Sequence, residues 1–228
     1  MDGQPREDRW SSRRRRVQRP SVSPLDRGFP ESWLSARGRA GAGGREREVH
    51  TECVVSIRAA VEADLCVLQD IERAAGKPFA DVGMTEVAED EPPTLATLRE
   101  YLAEDRAWVC VDASDRPIGY LVLDLVDGNA HIDQVSVHPD HSGHRLGKQL
   151  IDHAVAWARD HGLPAVTLTT FVDVPWNGPY YARLGFRALT PETETPGLRA
   201  LRAAEAAHGL DRWPRQCMRA DVATWAFG

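Results

Sequence analysis

The 228-residue sequence predicts a single α/β domain in which an antiparallel sheet is followed by a strand–helix–strand unit. Three apolar runs in the middle of the chain are separated only by short stretches of turn-forming residues, which is typical of an antiparallel meander. A long helical pattern from Gly147 to His161 follows, and the next apolar run, Ala165 to Thr170, is rich in β-branched residues. This order of elements predicts a mixed α/β (α+β) sheet with helices packed against it.

Charge divides the chain into two parts. Residues 1–50 contain 12 Arg and 7 acidic residues, whereas residues 51–228 contain 16 basic and 27 acidic side chains. The first part has too few apolar residues to offset the entropy of ordering its backbone, so we expect a disordered Arg-rich extension before a folded domain at 51–228. The run Arg13 to Arg16 can pair with the phosphates of nucleic acid, but it lacks interleaved aromatic residues, and we interpret it as a solvated tail.

The sequence contains no pattern typical of a membrane span, an export signal or a metal site. No run approaches the roughly 20 apolar residues that cross a bilayer, and no apolar segment follows the basic start. Cys53, Cys66, Cys110 and Cys217 are far apart and have no histidines at ligand spacing beside them. We therefore expect a cytoplasmic protein without bound metal and without membrane or nucleic-acid partners.

The first part of the domain reads as a strand and two helices. Val54 to Ile57 is β-branched and predicts a strand, and Ala63 to Ala75 places apolar residues at helical spacing before Gly76. After an irregular stretch with several prolines, Thr94 to Ala103 forms a second helical pattern, for which Thr94 is the expected N-cap.

Three strands of the meander come next. The three runs are Ala107 to Val111, Ile118 to Val126 and Ala130 to Val137. The second turn, Asp127-Gly128-Asn129, is flanked by alternating apolar residues, and Asp-Gly in such a place indicates a β-hairpin.

The last part of the domain continues the alternation of helices and strands. After the strand at 165–170, the sequence predicts a helix from Pro179 to Leu184, an extended segment from Phe186 to Leu189 and a last strand from Gln216 to Ala220. An additional helical pattern, Gly197 to Gly209, is expected either to cover a substrate cleft or to support a homodimer.

The junction between the third meander strand and the long helix has the composition of an anion site. Gly143 and Gly147 allow the backbone to approach a ligand closely, and the N–H groups at the start of a helix carry a partial positive charge. Arg145 and Lys148 add full charges at the same place. Such a turn suits a pyrophosphate, although glycines also occur in strand-to-helix turns for steric reasons alone.

Two motifs in this sequence resemble those of the GNAT superfamily of N-acetyltransferases. In that family an apolar-x-Val-x-Pro strand end, here Val135 to Pro139, leads into a Q/R-x-x-G-x-G/A loop and then a helix. Downstream, Tyr180 to Phe186 resembles the family's aromatic-Tyr-x-x-x-Gly-Phe sequence. In the loop, Ser142 stands where the family usually has Gln or Arg, and Arg145 stands where it has the first glycine.

The resemblance implies a mixed, mostly antiparallel sheet of six to seven strands flanked by about four helices. It also implies that acetyl-CoA is the co-substrate, with its pantetheine arm paired to the central strand and its pyrophosphate at the glycine loop. The residues expected at this binding site are Val135, Ser136, Val137, Gly143, His144, Arg145, Leu146, Gly147 and Lys148. The backbone N–H groups of the loop can donate to the pyrophosphate regardless of which side chains stand at positions 142 and 145.

The resemblance also implies a proton donor. Tyr181 lies four residues before Gly185, at the position of the family's tyrosine. A phenol has an unperturbed pKa near 10, so it stays protonated at neutral pH and can donate to a departing thiolate.

The base that deprotonates the incoming amine has three candidates. His131 lies where several relatives carry a catalytic Glu, and Asp133 is its neighbour on the strand. Alternation puts both on one side with Val135, unless a bulge intervenes, as it often does in this family. Glu72 on the first helix is the third candidate, and ordered water alone is a further possibility.

Two classes of function follow. The first is an enzyme that acetylates a primary amine of a small molecule or, as a further acceptor class, a peptide N-terminus or lysine. The acidic domain favours a cationic acceptor during the encounter. The second is a non-catalytic CoA-binding module with a sensing or scaffold role, which would explain the altered loop residues at positions 142 and 145. Only the enzyme would release thiol from acetyl-CoA when amines are added.

Overall fold

A computed structural model describes residues 55–228 of the chain. The Arg-rich extension predicted for residues 1–50, Val54 of the predicted first strand and Cys53 lie outside the described residues. Within residues 55–228 the structure is a seven-stranded sheet with six α-helices. None of these helices is long and apolar enough to span a membrane.

One mixed sheet forms the centre of the domain. Its strands are β1 (Ser56–Ala59), β2 (Ala107–Val111), β3 (Pro117–Val126), β4 (Asn129–Val137), β5 (Ala165–Phe171), β6 (Arg187–Ala188) and β7 (Arg215–Asp221). They lie in the order β1-β2-β3-β4-β5-β7-β6. Every neighbouring pair is antiparallel except β4 and β5, which are parallel.

The helices pack on both sides of this sheet. They are α1 (Leu65–Gly76), α2 (Thr85–Ala88), α3 (Leu95–Ala103), α4 (Leu146–Asp160), α5 (Gly178–Leu184) and α6 (Pro196–Ala207). Apolar residues of α1 and α3 pack against one face, together with Val109 and Val122. The larger core lies on the other face, where α4 and α5 cover Val135 and Leu168.

Local sequence signals account for several element ends. Thr94 Oγ1 accepts a hydrogen bond of 3.1 Å from Thr97 N and caps α3, as its position predicted. In the turn between β3 and β4, Asp127 and Gly128 have φ angles of 49° and 75°. Two consecutive positive φ angles are those of a type I′ turn, which matches the twist of the flanking strands.

The predicted fold class is confirmed, with three differences of detail. Within residues 55–228 the first strand begins at Ser56, one residue after Val55 of the predicted strand, because its pairing with β2 starts there. The extended segment 186–189 contributes only the two-residue strand β6. The stretch read as irregular contains the four-residue helix α2, and with this helix and α6 the described residues hold six helices instead of about four.

Candidate active site

A cleft opens in the sheet where the two parallel strands separate. β4 and β5 pair only at Ala130–Val166, His131–Thr167 and Ile132–Leu168. Both strands continue beyond these pairs, β4 along β3 and β5 along β7, without pairing to each other. The gap is a small cavity lined by residues of both strands and of α5, among them Val135, Thr170 and Tyr181.

The cleft carries polar groups on an otherwise apolar wall. The Thr170 side chain is buried, and its hydroxyl has no hydrogen-bond partner within residues 55–228. Asn177, at the start of α5, lines the same cavity and is also buried. A buried hydroxyl of this kind is usually satisfied, so a ligand with amide groups fits the cleft.

Tyr181 lies at the cleft because α5 follows directly after β5. Its side chain is 4% exposed and lines the cavity together with Val135. The ring is held by edge contacts to Tyr180 and Phe186, with centroids 5.7 and 5.8 Å away. The hydroxyl is therefore fixed by a packed aromatic cluster rather than by a surface loop.

A bulge in β4 decides which residues face the cleft. Val122 of β3 pairs with Gln134 and Leu123 pairs with Ile132, so Asp133 is an extra residue without a partner on β3. A bulge of this kind reverses the simple alternation of side chains. As a result, Val135 and Val137 belong to the core on the α4 side, whereas His131 and Asp133 lie on the opposite face. The candidate bases are thus not on the side of Val135.

His131 is a buried neutral group. Its side chain is 2% exposed, and its Nδ1 lies 2.9 Å from Thr167 Oγ1. Thr167 donates its own hydrogen to the Ala130 carbonyl at 3.3 Å, so His131 donates through Nδ1. Burial lowers the pKa of His131 to about 4, although the charge of Glu205 opposes this shift.

Asp133 shares its surroundings with a second carboxyl group. The Tyr101 hydroxyl donates to Asp133 Oδ2 at 2.9 Å and also lies 3.5 Å from Asp124 Oδ2. Burial and the neighbouring Asp124 raise the pKa of Asp133 well above its usual value, despite the hydrogen bond from Tyr101.

Glu72 of α1 receives more hydrogen bonds than either of these candidates. Gln134 Nε2 donates to both of its oxygens at 2.8 and 2.9 Å, Ser136 Oγ donates at 3.2 Å, and the Tyr120 hydroxyl also donates to it. Burial raises the pKa of Glu72 to about 7, which the three donors oppose and the charge of Asp90 reinforces. The sequence offered Glu72 as a candidate without any signal for these contacts, because they join residues more than 45 positions apart.

The glycine loop lies between β4 and α4, at the end of the strand that forms the cleft. Gly143 has φ 83° and Arg145 has φ 59°, both in the left-handed region. Gly143, His144 and Arg145 are exposed, and Leu146 and Gly147 begin the helix as buried residues. The N–H groups of the first helical turn have no partners within their own helix and point outward along its axis.

The remaining residues predicted around the cofactor are placed as follows. Lys148 Nζ forms an ion pair with Asp152 Oδ2 at 2.7 Å, so its charge is shared with a carboxylate one turn along α4. The Ser136 side chain is buried among the contacts of Glu72. Val137 ends β4 and packs in the main core.

The mixed seven-stranded sheet, the central parallel pair that separates around a cleft and the glycine turn before a long helix are the features expected of a GNAT fold. The family model described as "Acetyltransferase (GNAT) family" matches residues 68–186, just over half of the chain. The chain therefore belongs to the GNAT family of acetyltransferases, as its two motifs predicted.

Curated relatives match part of the chain. The peptidyl-lysine N-acetyltransferase YjaB of Salmonella typhimurium is 28% identical over 88 residues, which are 39% of this chain and 54% of that protein. The protein of the same name from Escherichia coli is 28% identical over 90 residues, or 40% of this chain and 55% of that protein. The chain thus spans about half the length of these relatives.

Solved structures share the fold at lower identity. The N-acetylglutamate synthase of Neisseria gonorrhoeae, complexed with coenzyme A and N-acetyl-glutamate, gives a TM-score of 0.55 at 18% identity, covering 75% of this chain and 36% of that one. The ribosomal-protein-S18-alanine N-acetyltransferase of Escherichia coli gives 0.52 at 15% identity, covering 76% of this chain and 96% of that one. At such identities the match defines the fold alone.

Proposed function

We propose that this protein transfers the acetyl group of acetyl-CoA to a primary amine, and that the amine belongs to a small cationic molecule. The observation that carries the proposal is the cleft between β4 and β5, which is lined by Tyr181 and by Thr170, whose hydroxyl has no hydrogen-bond partner among residues 55–228. An extended arm with amide groups fits such a gap because it can hydrogen-bond to the open strand edges as an added strand would.

Different residues of this site have different roles in cofactor binding and in proton transfer. Backbone groups of β4 around Val135, Ser136 and Val137 face the arm and stabilise the oxyanion, and the loop from Gly143 through His144, Arg145, Leu146 and Gly147 to Lys148 binds the pyrophosphate. Acetyl-CoA supplies an activated acetyl group as its thioester. Tyr181 donates a proton to the departing sulfur, and its packing keeps the hydroxyl aimed at the cleft.

A lysine side chain of a protein is the second candidate acceptor. The printed name of the YjaB relatives, peptidyl-lysine N-acetyltransferase, supports it. Both acceptors present a primary ammonium group, so they require the same chemistry and differ in the surface around it.

Thiol release from acetyl-CoA by the full-length chain tests the proposal. The assay uses a panel of small mono-, di- and polyamines beside lysine-containing peptides. Turnover with small amines supports the first acceptor class, and turnover with peptides alone replaces it with the second. Binding of acetyl-CoA without thiol release in any reaction indicates a non-catalytic CoA-binding module.

Replacing Tyr181 by Phe tests the proton donor. We expect the Tyr181→Phe variant to lose about 100-fold in kcat, the usual contribution of a positioned acid, while KM for acetyl-CoA stays within about twofold. The matched control is Tyr180→Phe, because Tyr180 packs beside it in the same helix. Equal turnover numbers for the Tyr181→Phe variant and the wild type would remove Tyr181 from the mechanism.

A further inference from the structure

We propose that Glu72 is the base that removes the proton from the acceptor ammonium, directly or through one water, and that Tyr120, Gln134 and Ser136 hold it for this task. The inference rests on the proposed acetyl transfer to an amine. It assigns the base to α1 instead of β4.

The first argument is the arrangement of the four side chains. The two carboxylate oxygens of Glu72 accept hydrogen bonds from Gln134 Nε2, Ser136 Oγ and the Tyr120 hydroxyl. Gln134 Nε2 also lies 2.7 Å from Ser136 Oγ, and Tyr120 pairs with Ser136 across β3 and β4. A carboxylate with three donors anchored on a sheet has one orientation, which proton transfer requires.

The second argument is the position of this cluster relative to the cleft. Gln134 and Ser136 flank Val135, whose side chain lines the cavity from the other face. Glu72 therefore contacts β4 at the level of the cleft, but from the face opposite to Tyr181. An acetyl group bound at Val135 has an acid on one side of the sheet and a carboxylate on the other. This is the separation that a base for the incoming nitrogen and an acid for the departing sulfur need.

The third argument is the kind of partner that Glu72 has. Buried carboxylates with a structural role are normally paired with a cation, and Glu205 of this protein is an example, because Arg215 Nη2 lies 2.8 Å from its Oε1. Within residues 55–228 Glu72 has no ion pair, and its three donors are all neutral. Neutral donors and burial leave its pKa at about 7, where a base for neutral pH is most effective.

The other candidates fit the role less well. His131, with a pKa lowered to about 4 by burial, is a weak proton acceptor at neutral pH, and its Nδ1 is occupied by Thr167. Asp133 is bonded to Tyr101 and lies beside Asp124, so two carboxyl groups compete for protons there.

The protons and bonds balance as follows. Glu72 accepts one proton from the ammonium, and the free amine forms a bond from nitrogen to the acetyl carbon. The carbon–sulfur bond breaks, Tyr181 gives its proton to the thiolate, and a second proton from the former amine restores the Tyr181 hydroxyl. Glu72 returns its proton to water. The net reaction converts an ammonium and a thioester into an amide, a thiol and one released proton.

The ionisable groups around Glu72 allow its pKa to be moved in both directions. They are Tyr120 on β3, Asp133 on β4 and the exposed Asp90 before α3, and Tyr101 on α3 interacts with Tyr120 and Asp133. Loss of the donor in Tyr120→Phe raises the pKa of Glu72, whereas loss of the nearby charge in Asp90→Asn lowers it.

The test is the pH dependence of kcat/KM for the full-length chain, with the best amine from the panel above. We expect the wild type to lose activity as pH falls through about 7, because protonated Glu72 cannot act as a base. Glu72→Gln removes this acidic limb and lowers kcat/KM about 100-fold, with acetyl-CoA still raising its melting temperature. Tyr120→Phe moves the limb to higher pH, and Asp90→Asn moves it to lower pH.

The outcomes separate the two proposals. An unchanged kcat/KM in Glu72→Gln, or limbs of Tyr120→Phe and Asp90→Asn that coincide with the wild type, overturns the role of Glu72 and leaves acetyl transfer intact. If Glu72→Gln does not fold, the shifts of the acidic limb in Tyr120→Phe and Asp90→Asn test the role of Glu72 without it. A wild type that binds acetyl-CoA and acetylates no amine overturns acetyl transfer, and the role of Glu72 with it.

Discussion

Arg145 occupies a backbone conformation that costs most side chains free energy. Its φ of 59° is left-handed, and it stands where the family pattern has glycine. A non-glycine residue in this conformation costs about 1–2 kcal/mol of strain in the folded chain. Its net disadvantage relative to glycine is smaller, because glycine loses more conformational entropy on folding. We propose that the Arg145 guanidinium binds the pyrophosphate, a role that would account for a strained arginine at this position.

Comparing Arg145→Gly with Arg145→Ala separates strain from charge. Both variants lose the guanidinium, so we expect both to bind CoA about 10-fold more weakly, which is the loss of one charge-assisted hydrogen bond. Only glycine relieves the strain, so we expect the free energy of unfolding of Arg145→Gly to exceed that of Arg145→Ala by about 0.5–1 kcal/mol. Calorimetric titration and urea unfolding measure the two effects. If Arg145→Ala retains wild-type affinity, the side chain contributes nothing to binding.

Individual site residues were predictable from the sequence to different degrees. The position of Tyr181 at the cleft was predictable because its motif is local: Gly185 and Phe186 follow within one helix and its turn. The cluster around Glu72 could not be predicted, because Gln134 lies 62 positions away on another element. The face of His131 was also undetermined, since it depends on the bulge at Asp133, which leaves no signal in the apolar pattern.

A buried ion pair connects helix α6 to strand β7 of the sheet. Arg215 of β7 donates from Nε and Nη2 to Glu205 at 3.0 and 2.8 Å, and its side chain is 0% exposed. Burial alone would raise the pKa of Glu205, but the charge and hydrogen bonds of Arg215 outweigh it, so the pKa is lowered. This contribution to stability is present above the unfolded pKa and is lost as pH falls through the lower folded pKa.

Removing one partner of this pair leaves a buried charge without compensation. We expect Glu205→Gln to lower the free energy of unfolding by about 3–5 kcal/mol. The control is Arg187→Gln, which removes an exposed pair with Asp221 and costs less than about 1 kcal/mol. Urea unfolding at neutral pH measures both. Equal losses in the two variants would mean that the buried pair does not anchor α6.

At the scale of the whole molecule, the order of elements followed from periodicity and turn chemistry. The strands from β2 to β5 and helix α4 are each long enough to show a period, and their predicted ends differ from the observed ones by one residue at most. Helix α2 has only four residues and no period to detect. The separation of β4 and β5 could not be predicted from periodicity, because it depends on strand pairing and not on local sequence.

Two ionisable groups with shifted pKa values, the buried His131 of β4 and the partly buried Glu72 of α1, affect the stability of the molecule with opposite signs. The pKa of His131 falls from 6.5 to about 4 on folding, so the unfolded chain binds more protons and stability rises with pH between these values. The pKa of Glu72 rises from 4.5 to about 7, so the folded chain binds more protons and stability falls as pH rises through this window. In the wild type the two slopes partly cancel.

Single variants expose each slope in turn. The stability of Glu72→Gln, measured relative to the wild type, should increase as pH rises from 4.5 to 7, because the variant no longer loses stability by ionising a partly buried carboxyl group. The relative stability of His131→Gln should decrease as pH rises from 4 to 6.5, because the variant lacks the wild type's gain. Urea unfolding at intervals of pH gives both difference curves, in which the other carboxylates cancel. Two flat difference curves, or two curves that slope in the same direction, would contradict the opposite pKa shifts of Glu72 and His131 on folding.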